Sequence, residues 1–329
     1  MIRNICWTAD GQLKTNLSLD EVQNVLLNPK SLLWVDICDE PYDESQRLLK
    51  EDFKFHPLSI ADALEETHIP KVDNWGEYLY LVLRAINPDQ DLSDEITTDE
   101  LDVFIGENFM VTYHPIPHHA VDRTWQWVLK DGRIANEGSA ALLYRLLDEM
   151  ADDFISMADQ IDLILNGMED QLFDNPDASL LEDLFTYKRG LLHLRQIIGP
   201  QREVLNKLAR GDFKILGDDA KMYFRDIYDH FLRLYEIIEN LRDLTGSTLD
   251  IYLSVVNNRM NSVMKTLTII TTLFMPISFL AGFFGMNFFK PGEGMDVWTS
   301  GPLFYIVLIV MVLFPVAMIL YINHKGWLK

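Results

Sequence analysis

The chain has 329 residues, 48% of them hydrophobic, and carries 50 acidic against 28 basic side chains, a formal net charge of −22. So acidic a polymer repels nucleic acid and attracts cations, which argues against a nucleic-acid partner. The charge is uneven: residues 259–329 hold five Lys and Arg and two Asp and Glu, and residues 1–258 hold the other 23 and 48. Cys6 and Cys38 form no CxxC and no repeated spacing, so both are expected to be reduced thiols. No GxxxxGK[ST] loop is present, and no nucleotide is expected as cofactor.

In chain order, the first part reads as mixed α and β. Strand-like runs cover Ile2–Thr8, Leu32–Ile37, Tyr78–Ile86, Leu101–Ile105 and Phe109–Tyr113, the last two flanking a hairpin turn at Gly106-Glu107-Asn108. Short helices are predicted from Ser18, an N-cap with Glu21 three residues on, to Leu27, and from Pro57 to Glu66. His114, His118 and His119 lie around Pro115 and Pro117 and read as a solvent loop, since two adjacent His on a broken segment make no tetrahedral zinc site. The pairs Glu65-Glu66 and Asp152-Asp153 read as ordinary surface acids. From Ser139 the pattern turns to long helices: Ala140–Phe173 stopping at Asn175-Pro176, then Ser179 to about Ala209, which Pro200 should kink or interrupt. A third begins near Asp218 or Asp219 and meets no stop for more than sixty residues.

This yields an α+β domain over 1–138, a helical pair over 139–217 and a stalk helix over 218–284 whose last part, from about 265, enters a membrane. Two uncharged apolar runs, Leu267–Phe284 and Pro302–Ile322, would span roughly 27 and 31 Å as helices, near the ~30 Å hydrocarbon thickness. A connector over 285–301 and a tail over 323–329 complete the expected layout. Met1–Asp10 lacks the charged start, apolar stretch and cleavage site of a signal peptide, so the first 258 residues are expected in the cytoplasm. Arg259 and Lys265 before the first run, and Lys325 and Lys329 after the second, place both termini there by the positive-inside rule.

Polar and small residues of the first run are not scattered. Asn261, Met264, Thr268, Thr271, Met275, Ser278 and Gly282 recur at spacings of three and four, a stripe on one helix face. Ile269, Ile270, Leu273, Ile277 and Leu280 lie opposite, suited to lipid or a neighbouring helix. Spacing by itself leaves two readings open, because Ser, Thr and Gly also mediate helix packing in membranes.

The run ends in Phe284-Gly285-Met286-Asn287, then a short loop, a second span and a brief tail. In that setting the sequence resembles the CorA family of divalent-cation channels, whose signature is an aromatic residue followed by Gly-Met-Asn. The resemblance extends through Tyr223-Phe224-Arg225-Asp226-Ile227-Tyr228-Asp229-His230, Met264-Lys265-Thr266-Leu267-Thr268, Pro70-Lys71-Val72 and Lys325-Gly326-Trp327-Leu328. It implies a cytoplasmic α/β/α sandwich, long helices and two C-terminal membrane helices, assembled as a funnel-shaped homopentamer in the plasma or inner membrane. Gly285, Met286 and Asn287 would form the outer filter. Asn261, Met264, Leu267, Thr271, Met275, Ser278 and Gly282 would line the pore, with Leu267 where spacing prefers Thr268.

The expected cargo is hydrated Mg²⁺, with Co²⁺ or Ni²⁺ also possible for this scaffold, and no enzymatic activity is expected. Mg²⁺ dehydrates reluctantly, so neutral oxygens that bond its water shell suit it, and neither run contains a carboxylate. Glu293 and Asp296 in the connector would concentrate cations outside. The resemblance also implies a regulatory Mg²⁺ bound between protomers by Asp226 and by the Asp89-Gln90-Asp91 loop of the next copy, with Asp94 and Glu95 competing for the role. The tail departs from the pattern: it holds only Lys325 and Lys329 where family members often carry a denser basic cluster, so a gating ring does not carry over. A ZntB-like zinc transporter on the same scaffold and a membrane-anchored regulator with a vestigial pore are the alternatives. Met286 favours Mg²⁺, since ZntB-like relatives tend to vary that position.

Overall fold

Along the strand Leu79–Ala85, Leu79, Leu81 and Leu83 enter one apolar cluster while Tyr80 and Val82 enter another. Leu32–Cys38 divides the same way, with Leu32 and Trp34 on one side and Leu33, Val35 and Ile37 on the other. Successive strand side chains alternate across a sheet, so a sheet apolar on both faces must be covered on both.

That is the arrangement found. The computed structural model describes residues 1–8, 11–65, 69–93, 95–131, 134–174, 177–286 and 302–325, in two units, Met1–Tyr252 and Leu253–Lys329. The first unit holds a seven-stranded mixed sheet of β1 (Ile2–Trp7), β2 (Leu13–Thr15), β3 (Leu32–Cys38), β4 (Lys71–Asn74), β5 (Leu79–Ala85), β6 (Asp99–Ile105) and β7 (Phe109–His114). The strand order is β2-β1-β3-β7-β6-β5-β4, with β3 and β7 parallel and the other neighbours antiparallel.

Three short helices, α1 (Leu19–Leu26), α2 (Tyr42–Arg47, continued by a π-helical turn at Leu48–Asp52) and α3 (Pro57–Leu64), bring Val22, Leu48, Leu49 and Ile60 onto one face. The other face receives α4 (His119–Lys130), α5 (Ile134–Asp174), α6 (Ala178–Arg210) and the start of α7 (Ala220–Gly285), through Trp125, Leu146, Phe154, Leu191, Phe224 and Phe231. The expected three-layer sandwich followed by long helices is therefore observed. The rest of α7 and the last helix, α8 (Pro302–His324), make up the second unit.

Several local expectations need correction. Strands β2 and β4 and helices α2 and α4 were not foreseen; β2 has three residues and β4 pairs polar Lys71, Asp73 and Asn74 around one buried Val72. The helix α5 starts at Ile134, but Gly138 breaks it with φ 81°, a left-handed value that suits glycine, so regular helix runs from Ser139 as expected. Pro200 does not interrupt α6. The next residue, Gln201, is fully buried; its Oε1 accepts from the Arg84 backbone N–H at 2.8 Å and its Nε2 donates to the Arg84 carbonyl at 3.3 Å. Pairing of β4 with β5 ends at Lys71 opposite Val82, so one side-chain amide continues the ladder where the strand stops.

His114 and His118 are also not on a solvent loop: they are 1% and 4% exposed. His114 ends β7, with Nδ1 2.6 Å from the Ile116 carbonyl and Nε2 3.0 Å from Asp36 Oδ1, so both nitrogens are committed. His118 Nε2 lies 3.2 Å from the Glu100 carbonyl, and burial, then the charge of His114, pulls His118 down to about 4. Asp153, read as surface, is 4% exposed and accepts from Arg123 Nη2 at 2.7 Å.

Asp36 organises this end of the sheet. Thr112 accepts from the Trp34 indole at 3.1 Å and so directs its own hydroxyl proton to Asp36 Oδ1 at 2.5 Å, while Arg3 Nε donates to Oδ2 at 2.7 Å. Burial alone would push the Asp36 carboxyl up; the bonds from His114 and Thr112 and the charges of His114 and Arg3 overcome this and hold it below the usual carboxylate range. A depressed carboxyl stabilises the fold above its unfolded value, near pH ~4, and that contribution is lost as pH falls through the folded value. Asp36→Asn is therefore expected to lower the melting temperature of the full-length protein at neutral pH. Its deficit relative to wild type should shrink below about pH 4; a deficit that stays constant to lower pH would contradict the ion-pair role.

Candidate functional site: the exposed face of the first membrane helix

Within the second unit, α7 and α8 meet along a narrow seam. On α7 the half-buried positions are Ile269, Thr272, Leu273, Pro276, Ile277 and Leu280; on α8 they are Val307, Met311, Pro315 and Met318, with Ile322 buried. Both sets recur every three or four residues, as helix-on-helix packing requires. Ile269, Leu273, Ile277 and Leu280 come from the face the sequence pattern assigns to a neighbour. Thr272 and Pro276 join them, which polarity alone would not suggest.

The polar stripe is elsewhere. Asn261, Met264, Leu267, Thr268, Thr271, Met275, Ser278 and Gly282 are all exposed, Leu267 and Met275 by 61% and 65%. At about 100° per residue, this set and the seam centre on nearly opposite sides of α7. Of the two readings left open by spacing, packing on α8 does not account for the stripe.

The threonines on this helix have a defined polarity. Thr268 Oγ1 donates to the Met264 carbonyl and Thr271 Oγ1 to the Leu267 carbonyl, each at 2.8 Å. With the proton bound to the backbone, each hydroxyl offers only lone pairs outward. The waters around a cation turn their protons outward, so acceptor-only oxygens match a hydrated cation.

At the far end of the stripe, Gly285 closes α7, and the Met286 N–H donates to the Phe283 carbonyl at 3.3 Å. Both residues are exposed. Asn287, expected as the third residue of the filter, and Glu293 and Asp296 of the connector lie outside the described residues, as does Asp94.

The expected regulatory residues sit in the first unit. Asp226 is exposed on α7 and accepts a 3.1 Å hydrogen bond from Tyr144 Oη of α5. The Tyr144 hydroxyl is in turn pushed up to about 12 by burial and by this carboxylate, which keeps it a donor. Asp89 and Asp91 are exposed on the connection between β5 and β6. Asp89 lies 3.7 Å from His119 Nδ1, and Asp91 Oδ1 accepts from the Ser93 amide and hydroxyl at 2.9 and 2.7 Å, which holds it below the usual carboxylate range. Exposed Glu95 is on the same segment.

That segment is anchored. Leu92 and Ile96 are buried in the helical-side core, and Gln90 bonds Asn87 and Thr97 across the loop. A Cβ on Gly190 of α6 would meet Ile96 Cδ1 at 2.6 Å. Glycine there gives Ile96 its seat. Sequence reading missed Tyr144, Ile96 and Gly190; each acts through a contact between segments far apart in the chain. Within one chain Asp226 is not joined to Asp89 or Asp91, and among the described residues no group of three or more His, Cys, Asp and Glu could hold a metal ion.

Residues 29–325 match the family described as CorA-like Mg²⁺ transporter proteins. A Bacillus subtilis protein, YfjQ, provisionally named a metal ion transporter, is 33% identical over 99% of this chain and 98% of its own length. The cobalt/magnesium transport protein CorA of Thermotoga maritima is 32% identical over 90% of this chain and 83% of its own. Among solved structures, the complete CorA magnesium transporter of Methanocaldococcus jannaschii superposes with a TM-score of 0.81 at 23% identity, covering 98% of each chain. That likeness extends the fold to both units.

Proposed function

The chain belongs to the family of CorA-like Mg²⁺ transporter proteins, a family of divalent-cation transporters, and on that premise we propose that it is a homopentameric channel for the uptake of hydrated Mg²⁺. The observation that carries this reading is the exposed stripe of α7, which faces away from the seam with α8. Copies arranged about an axis would turn the stripes inward, with α8 outside and lipid beyond. Leu267 would narrow the cytoplasmic end, and Thr271, Met275, Ser278 and Gly282 would follow toward Gly285, Met286 and Asn287. Thr271 and the Asn287 side-chain carbonyl would accept hydrogen bonds from the ion's water shell, while the absence of carboxylates from both spans lets the ion leave. Glu293 and Asp296 would gather cations at the outer mouth. The name of the Thermotoga relative adds Co²⁺ as a second candidate cargo.

Both termini would be cytoplasmic, and the membrane potential would drive entry: a divalent ion gains about twice 2.3 kcal/mol per 100 mV. Internal Mg²⁺ would close the pore by binding between Asp226 of one copy and Asp89 or Asp91 of the next. Carboxylates facing each other repel, and an ion between them favours the close-packed, closed arrangement. Tyr144 would steady Asp226, and the seat of Ile96 against Gly190 would steady the partner loop.

In proteoliposomes held at an inside-negative potential, the wild type is expected to take up Mg²⁺ without ATP, and correctly assembled Asn287→Ala should fall to the level of protein-free vesicles. Uptake at the wild-type rate by that variant, or uptake indifferent to potential at matched concentrations, would sink the channel reading. Asp226→Asn should raise the internal Mg²⁺ needed for half-inhibition about tenfold, the weight of ~1.4 kcal/mol of charge attraction. It should also weaken protection of the cytoplasmic unit from protease by Mg²⁺. An unchanged inhibition curve together with unchanged protection would place the control elsewhere.

A further inference from the structure

The seam between α7 and α8 opens at the end that carries Lys325. A cavity of about 440 Å³ lies between the helices there. Ile269 of α7 and Met318 and Ile322 of α8 form its apolar walls, and Thr268, at the edge of the stripe, Thr272, Tyr321 and Lys325 supply its polar groups. The Lys325 N–H donates to the Tyr321 carbonyl at 3.0 Å, so the helical turn continues and both side chains project from one face. Thr272 Oγ1 donates to the Thr268 carbonyl at 2.7 Å and keeps its lone pairs free.

The charge at this end is unbalanced. Residues 253–286 and 302–325 contain no Asp or Glu, so the Lys325 ammonium meets no carboxylate among the described residues of its unit. The net acidity of the chain, which repels anions, comes from residues 1–258, whereas residues 259–329 hold five Lys and Arg against two Asp and Glu. A cation and a phenol at the rim of an apolar crevice, where an apolar span ends, match a group that is anionic at one end and hydrocarbon at the other.

We propose that this cavity binds an anionic phospholipid, with the phosphate held by Lys325 and Tyr321, a headgroup hydroxyl donating to Thr272, and an acyl chain against Ile269, Met318 and Ile322. The site rests on the reading that α7 and α8 cross a bilayer, with Lys325 at the cytoplasmic leaflet. The apolar walls separate a lipid from a free phosphate ion, which would use only the rim. The lipid ties the end of α8 to the part of α7 that carries Thr268 and Leu267.

The test uses the full-length protein in detergent, with phosphatidylglycerol, phosphatidylcholine of the same acyl chains, or inorganic phosphate added and bound molecules counted by native mass spectrometry. Wild type is expected to prefer phosphatidylglycerol. Lys325→Gln should weaken that binding about fivefold, the usual weight of one basic residue at an anionic membrane surface, and leave phosphatidylcholine unchanged. Tyr321→Phe should lower it in the same direction by less. Equal binding of phosphatidylglycerol by wild type and Lys325→Gln would overturn the site, as would equal affinity for the two lipids. Displacement of phosphatidylglycerol by inorganic phosphate would show a free-anion site, with no part for the apolar walls. If the cavity-filling variant Met318→Trp prevents assembly while phosphatidylglycerol binding is retained, the cavity seats a second copy and the proposal fails. Mg²⁺ uptake by the reconstituted wild type is measured alongside: its absence would count against the channel reading alone, and the lipid count would still decide the site.

Discussion

A helix in hydrocarbon has to satisfy its whole circumference, and polar groups turned to lipid are costly. On α7 that requirement is met on one side only. Ile269, Leu273, Ile277 and Leu280 are half-buried, as are Val307, Met311 and Met318 of α8, while Asn261, Thr271 and Ser278 stay on the uncovered face. The second helix thus consumes the apolar face and leaves the polar one to meet water or further copies of α7. In the proposed channel a closed ring would answer both needs, because each stripe would then border an aqueous axis. The threonine hydroxyls fit that role, since their protons are spent on the carbonyls of Met264 and Leu267. An acceptor-lined pathway without carboxylates would pass a strongly hydrated ion without stripping it.

The first unit meets a different demand, the fixing of exposed acids. Its sheet is buried on both faces, and the mixed topology leaves the β5–β6 connection to carry Asp89 and Asp91. Leu92 and Ile96 pin that connection to the helical layer, and Gly190 makes room for it. Asp226 is steadied from α5 by Tyr144. Mobile acids would lose entropy on holding an ion, whereas anchored ones have already lost it. In the proposed channel this rigidity lets a small ion bias the packing of whole protomers.

Much of this was legible from periodicity. Short apolar runs located the five longer strands, and three-four spacing located the stripe, because both patterns are local. What failed depended on contacts between distant segments. β4 is polar at three of four positions and exists because Leu79–Val82 offers it a ladder. Pro200 should weaken α6, yet the helix is held by neighbours in its core and by the grip of Gln201 on Arg84. His114, His118 and Asp153 looked like surface residues on an acidic chain; they are buried because Asp36, the Glu100 carbonyl and Arg123 lie across from them. The proposed filter, Gly285-Met286-Asn287, is marked in the sequence by its setting between two spans, and of the three only Gly285 and Met286 fall among the described residues.

The central claim is that the face of α7 opposite α8 lines the ion pathway. The most direct measurement introduces single cysteines along α7 in the membrane-embedded protein, applies a membrane-impermeant thiol reagent and records Mg²⁺ flux. The native thiols give little background, because both are buried and burial pushes the Cys6 thiol up to about 11. Thr271→Cys and Ser278→Cys are expected to be modified and to lose flux, while Leu273→Cys and Ile277→Cys stay unmodified and conducting. Modification and block that follow Leu273 and Ile277 and spare Thr271 and Ser278 would contradict the claim.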